Sequence, residues 1–380
     1  MTTPRERKTT GPILLLVGAA AMLALTTVAG EAAAAISAGE RQALLDLYAS
    51  SNGAGWTNGT NWNGAAGSAG TWFGVTCDAG KTTVQHLNLH SNNLVGTLPA
   101  SLANLATLQS LYLYSNRLVG SIPISIGNLT NLQGLYLYSN RLSGSIPGEL
   151  GKLTNLVGGL YLSANQLTGP IPASLGNLTK VQYLFLYSNQ LTGPIPTQLG
   201  SLTSVKQLIL CSNQLVGPVP SSIASLTNLS SGASDLRWNG LYSADPALVT
   251  FLDGKQAGGD WQSTQTVPVT GLGVGPATIS SVPLTWSPIA YAGDTGGYQV
   301  LSATMPGGPY TLSTTTADKA VASATVNDLG PGTPYYFLVR SVTNPHAKNQ
   351  NTVVSDPSAE VSATTLGHRV KLRRHLKRTD

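Results

Sequence analysis

Residues Leu108–Asn131 read LQSLYLYSNRLVGSIPISIGNLTN, and Leu132–Asn155 repeat them nearly letter for letter as LQGLYLYSNRLSGSIPGELGKLTN. The 24-residue period extends both ways. Val84–Thr107 precedes it; Leu156–Lys180 (one residue longer), Val181–Ser204 and Val205–Asn228 follow. A fixed period of this length marks a solenoid, in which a unit buries its apolar side only against its neighbours. The shared pattern is L-x-x-L-x-L-x-x-N-x-L-x-G-x-(I/L/V)-P-x-x-(L/I)-x-x-L-x-x. Side chains alternate along a strand, so L-x-L sends both leucines to one side. Asn92, Asn116, Asn140, Asn165, Asn189 and Asn213 fall where the chain turns out of that strand. A buried amide there needs both a donor and acceptors, which predicts a stacked asparagine ladder. The glycine of each unit permits a bend, and the proline after it restricts φ to extended or helix-entry geometry. The closing (L/I)-x-x-L predicts a helical or 3₁₀ turn on the outer side. The extra residue at Gly158–Gly159 predicts a small bulge before the fourth strand.

These units resemble the leucine-rich repeat, in the subtype common in plant receptor ectodomains and marked by L-x-G-x-I-P. The resemblance covers 84–228 and implies an α/β solenoid, a horseshoe with a parallel sheet on its concave face. Residues 36–83 resemble the N-terminal cap of the same family. Ser37 and Glu40 have capping-box spacing, and a helix with apolar positions Ala43, Leu44, Leu47 and Tyr48 follows. The family often carries Cys-x-W-x-G-V-x-Cys in this cap. Here Gly70 stands at the first cysteine position and only Cys77 remains. Cys211 lies about five repeats away, too far to pair with Cys77, so both thiols are expected free. Residues 229–267 read as a degenerate last repeat and cap. Leu236, Asn239 and Leu241 echo the motif, Pro246–Leu252 looks helical, and Trp261 is read as packing over the open core.

After a linker at 268–275, the pattern changes to short strands and turns over 276–366, an all-β signature. VPLTW places Trp286 on an early strand, and LGPGTPYYFLVRSV is similar to the L-x-P-G-T-x-Y-x-F-x-V segment of fibronectin type III domains. That resemblance implies a sandwich with Tyr335 as its corner tyrosine, tied by its hydroxyl to backbone. The domain is expected to act as a spacer, with binding by its own loops as the alternative.

At the N-terminus, Arg5, Arg7 and Lys8 precede an apolar run and then small residues around Ala32–Ala35. This order reads as a signal peptide over 1–35, with an uncleaved anchor as the alternative. No second stretch is apolar enough to span a bilayer. The formal net charge of +5 sits at the two ends, in this leader and in a basic tail over 367–380. The body between them is slightly acidic, which excludes a folded nucleic-acid surface. Two cysteines in 380 residues exclude a Cys-rich metal site.

Alternation also assigns the concave face. Tyr112, Tyr136, Tyr161 and Phe185 form one aromatic row on strands about 4.8 Å apart. Tyr114, Tyr138 and Tyr187 form a second, interrupted at Ser163; His86, His90 and Tyr183 lie on the same face. Such rows either stabilise the sheet by cross-strand stacking or offer a large amphipathic binding surface. No catalytic residue, metal or cofactor is expected. Between Val84 and Asn228 the only carboxylate is Glu149, on the outer turn. His86 and His90 are about 13 Å apart along a strand. The sequence therefore reads as an extracellular, non-enzymatic recognition protein that binds a protein or peptide through the aromatic concave face. A glycan-binding module and a self-associating surface protein are the rivals.

Overall fold

The computed structural model describes residues 35–65 and 67–368, so the leader before Ala35 and the tail from Arg369 lie outside the described residues. Helix Ala38–Ser50 opens the described chain with the expected capping box: Glu40 N–H donates to Ser37 Oγ at 3.1 Å, and Ser37 N–H donates back to Glu40 Oε2. The other carboxylate oxygen, Oε1, accepts Val84 N–H at 2.9 Å and so ties the cap to the first repeat strand. Trp56, Trp62 and Trp72 pack edge-on and tilted against one another beside this helix. Their burial builds the core of the cap. Cys77 and Cys211 are both free thiols.

The concave sheet has seven strands: Val75–Cys77 antiparallel at its edge, then Val84–Asn88, Ser110–Tyr112, Gly134–Tyr136, Gly159–Tyr161, Tyr183–Phe185 and Gln207–Ile209, all parallel. The extra residue is absorbed ahead of the fourth of these repeat strands. Gly158 N–H donates to Gln133 O as Gln133 N–H does to Gln109 O, which leaves Val157 as the surplus, partly exposed residue.

A second parallel sheet was not legible in the L-x-G-x segment, which reads as a bend. Strands Val95–Thr97, Arg117–Gly120, Arg141–Ser145, Gln166–Pro170, Gln190–Gly193, Gln214–Pro218 and Gly240–Tyr242 form it on the flank of the solenoid. Its leucines point into the core. Each proline then sits at the entry of a five-residue 3₁₀ turn, from Ala100–Asn104 to Ser221–Ser225. These turns line the outer side, and their leucines close a core in which most apolar side chains are fully buried.

The asparagine ladder runs the length of the repeats. Leu118, Leu142, Leu167 and Leu191 N–H donate to Asn140, Asn165, Asn189 and Asn213 Oδ1 of the next unit, each at 3.0 Å. The Nδ2 groups donate to leucine carbonyls of their own and the preceding unit. The ladder continues into the degenerate unit through Asn239 and ends on Gln265, whose Oε1 accepts Leu241 N–H at 3.0 Å. Helix Pro246–Lys255 and the fully buried Trp261 close the core there.

The C-terminal sandwich pairs Thr270–Val274, Val282–Ser287 and Ser323–Val326 in one antiparallel sheet. The other contains Thr311–Thr315, Gly296–Ala303, Pro334–Thr343, Val353–Val354 and Val361–Thr364. Thr270–Val274, inside the stretch that reads as a linker, is thus a strand of the sandwich. Trp286 is buried edge-on against Tyr298. The Tyr335 hydroxyl accepts Gly330 N–H at 2.8 Å, the corner contact that its motif implied.

This domain is not a free spacer. Asn349 Nδ2 donates to Asn213 O at 2.9 Å and to Trp238 O at 2.8 Å; Asn351 Nδ2 donates to Asn189 O; Ser212 Oγ donates to Lys348 O. Thr266 and Thr343 hydroxyls meet at 2.6 Å, and Trp238 packs against the sandwich core. The sandwich is clasped to the last repeats by a loop whose amides satisfy the turn carbonyls of the ladder.

Candidate binding face of the solenoid

The concave strands bring the expected aromatic side chains together. Tyr112 and Tyr136 stack with ring centroids 4.6 Å apart, Tyr136 and Tyr161 likewise at 4.6 Å, and Phe185 meets Tyr161 edge-on at 4.7 Å. In the second row His90 stacks on Tyr114 at 4.5 Å with an interplanar angle of 3°, and Tyr114 on Tyr138 at 4.5 Å. Ser163 breaks this row, and Tyr138 leans across to Tyr161 at 6.2 Å. Tyr183 lies 6.2 Å from Tyr161, and Tyr187 reaches only Phe185. His86 stands on the same strand as Asn88 and contributes no ring contact.

Rings stacked along the solenoid axis cover one another's faces, and the Tyr136 hydroxyl lies back over Gly134 and Gly158. Each such pair contributes about 1 kcal/mol beyond its burial. The arrangement therefore does stabilise the sheet, and it also leaves a half-buried aromatic ridge along the concave face. Sugar stacking needs free ring faces, and the stacked tyrosines cover one another's.

Two glycines shape the ridge. A Cβ on Gly134 would come within 2.5 Å of the Tyr136 ring, and one on Gly159 within 2.4 Å of the Tyr161 ring. The missing side chains are the space into which these rings lie down. Burial first, then neighbouring tyrosines, raise the Tyr136, Tyr138 and Tyr161 hydroxyls above the usual tyrosine range. They stay protonated near neutrality and both donate and accept hydrogen bonds.

The face ends in charge, which sequence reasoning missed. Asp235 pairs with Ile209 as a further concave rung, and Leu210 N–H donates to its carbonyl. Arg237 holds it bidentately, Nε to Oδ1 at 3.0 Å and Nη2 to Oδ2 at 2.7 Å. Burial alone would raise the Asp235 carboxyl, but the Arg237 and Gln256 hydrogen bonds bring it below its ordinary value. Burial and this carboxylate push the Cys211 thiol up to about 12, so it is an inert core group. The signal was present: Asp235-Leu236-Arg237-x-Asn239 keeps the repeat register, although Ser234 stands where the other units have leucine. Among the described residues no group of three or more His, Cys, Asp and Glu could hold a metal ion.

The Leucine Rich Repeat family model matches residues 83–105, 107–129, 131–153, 159–178 and 180–202, and the Fibronectin type III domain model matches 267–356. The chain belongs to the leucine-rich-repeat family and carries a fibronectin type III domain. Among solved structures, this leucine-rich-repeat protein is similar to the LRR ectodomain of the plant membrane receptor kinase GASSHO1/SCHENGEN3 from Arabidopsis thaliana, solved in complex with CASPARIAN STRIP INTEGRITY FACTOR 2. Identity is 37% over 57% of this chain and 26% of that one, with a TM-score of 0.52. It is also similar to a plant ice-binding protein, with 30% identity over 58% of this chain and 69% of that one, and a TM-score of 0.50. The leucine-rich-repeat protein thus spans about a quarter of the receptor ectodomain it matches. No curated protein sequence matches it. Among the described residues no helix is long and apolar enough to cross a membrane.

Proposed function

We propose that the leucine-rich-repeat protein is an extracellular, non-enzymatic recognition protein that binds a peptide segment of a protein partner along its concave ridge. The observation that carries this reading is the half-buried aromatic row from Tyr112 to Phe185, on a face with one ion pair at its end. A peptide offers amide groups to the hydroxyls and apolar side chains to the ring edges. Tyrosine provides both kinds of contact at low ordering cost. The likeness to a receptor ectodomain solved with a bound factor supports the same reading. The test is a pull-down from cell-surface extracts with the mature chain and with a Tyr112→Ala/Tyr136→Ala/Tyr161→Ala/Phe185→Ala variant shown to be folded. A partner held by the wild type and lost by the variant is expected. Equal capture by both would move recognition elsewhere.

A second reading has its own observation. The flank sheet exposes short uncharged side chains, among them Val95, Val119, Thr168 and Thr192, on strands staggered by two residues, so that Val119 lies between Thr97 and Arg141. Together with the likeness to a plant ice-binding protein, these side chains support ice as a ligand. Inhibition of ice recrystallisation that is lost in Thr168→Lys/Thr192→Lys and kept in the concave-face variant would establish it.

A further inference from the structure

The loop that clasps the sandwich to the solenoid is folded around His346. Its N–H and carbonyl both pair with Asn349, and the carbonyl also accepts Gln350 Nε2 at 2.8 Å. This tight turn aims Asn349 and Lys348 at the carbonyl of Asn213 and the hydroxyl of Ser212. The His346 ring itself faces inward, its side chain about one-tenth exposed. Nδ1 lies 3.3 Å from Asp294 Oδ2 and 3.4 Å from the Lys348 backbone nitrogen. Asp294 also accepts the Tyr291 hydroxyl. Across the Tyr291 ring, 4.2 Å from its centroid, sits the ammonium of Lys319, which is 3% exposed and has no hydrogen-bond partner.

We infer that this cluster makes the attachment of the fibronectin domain to the solenoid a proton-sensitive clasp, closed near neutrality and loosened in mildly acidic medium. A neutral imidazole can accept the Lys348 N–H at Nδ1. A protonated one must donate there, to Asp294, and gives up the Lys348 N–H, which then has no acceptor on the ring inside the turn that His346 and Asn349 close. Protonation also sets a second cation beside the unpartnered Lys319. The charged and titratable groups facing the ring are Asp294, Lys319 and Tyr291; on the solenoid side the contacts are made by Ser212, Asn213 and Trp238, which carry no charge.

Burial first, with Lys319 adding to it, holds His346 below its ordinary 6.5, while Asp294 pulls the other way. Burial likewise lowers Lys319 to about 8. The sign follows from the direction. With the ring freed to solvent when the loop releases, the clasped state binds fewer protons than the released one, so clasping is fully favoured above the ordinary histidine value and weakens as pH falls through it.

Residue-resolved hydrogen exchange on the full chain between about pH 7.5 and pH 5 tests this, with rates corrected for intrinsic pH dependence. In the wild type, protection of the Asn349 amide is expected to fall roughly tenfold for each unit between the two histidine values. Protection at Tyr298 and Val339 in the sandwich core should not change. His346→Gln should show no such fall, and Lys319→Met should show a smaller one because the repelling cation is gone. A fall of equal size in His346→Gln would overturn the proposal. So would a flat wild type, or, where the glutamine variant is open at both pH values, an undiminished fall in Lys319→Met.

Discussion

Asn189 accepts Leu167 N–H, donates to Leu162 and Leu186 carbonyls, and gives its own carbonyl to Asn351 of the sandwich. Replacing it with alanine leaves the buried Leu167 N–H without a partner, while the Leu162 and Leu186 carbonyls keep the amides of Asn165 and Asn213. A buried group left unsatisfied costs about 1–3 kcal/mol, so Asn189→Ala is expected to lose about 2 kcal/mol. Urea unfolding would show this as a lower midpoint with the slope retained. Gly70 carries a different expectation. A Cβ built there lies 3.6 Å from Cys77 Sγ, close to disulfide reach. Gly70→Cys should therefore form a disulfide with Cys77 on oxidation and stabilise the cap by about 2 kcal/mol. Thiol labelling reads the result directly, and two freely reactive cysteines after oxidation would contradict the cap geometry.

At the scale of the element, the concave strand is shaped as much by what is missing as by what is present. Gly134→Ala puts a methyl where the Tyr136 ring now lies. The ring must shift, and with it the stack to Tyr112 and Tyr161. The expected outcome is partner affinity weakened by about tenfold, on the order of 1.4 kcal/mol, with the unfolding midpoint lowered only by the loss of the stack, about 1–2 kcal/mol. A large stability loss at constant affinity would mean that the stack serves only the sheet.

The placement of these rings was legible in sequence, because the period-two alternation of L-x-L leaves no choice of face. Their orientation was not, because stacking depends on rotamers and on the room above Gly134 and Gly159. The flank sheet was hidden for a related reason. Val95–Thr97 and its equivalents are short and pair only with their own copies one repeat away, so Leu-x-Gly carries the look of a bend. Asp235 and Arg237 were overlooked because the last unit has lost the leucine at Ser234 that announces the strand.

At the scale of the whole molecule, the least legible feature is the docking of the sandwich. Asn349 and Asn351 lie in a polar loop with no motif, and their partners are backbone carbonyls more than a hundred residues away. Nothing in the composition of a turn announces complementarity of this range. The consequence is a solenoid with a fixed companion rather than a swinging one. Asn349→Ala/Asn351→Ala removes three of the amide contacts and is expected to enlarge the radius of gyration in small-angle scattering, with the circular dichroism of both modules retained. An unchanged scattering curve would show that Trp238 and the Thr266–Thr343 contact hold the two together by themselves.

The central claim is that recognition runs along the concave ridge. Its most direct test is a hydrogen-exchange footprint of the captured partner on the full chain. Slowed exchange is expected on strands Ser110–Tyr112, Gly134–Tyr136, Gly159–Tyr161 and Tyr183–Phe185 in the bound state, together with the turns that follow them. A footprint confined to the flank strands Gln166–Pro170 and Gln190–Gly193, or to the loops of the fibronectin domain, would contradict it.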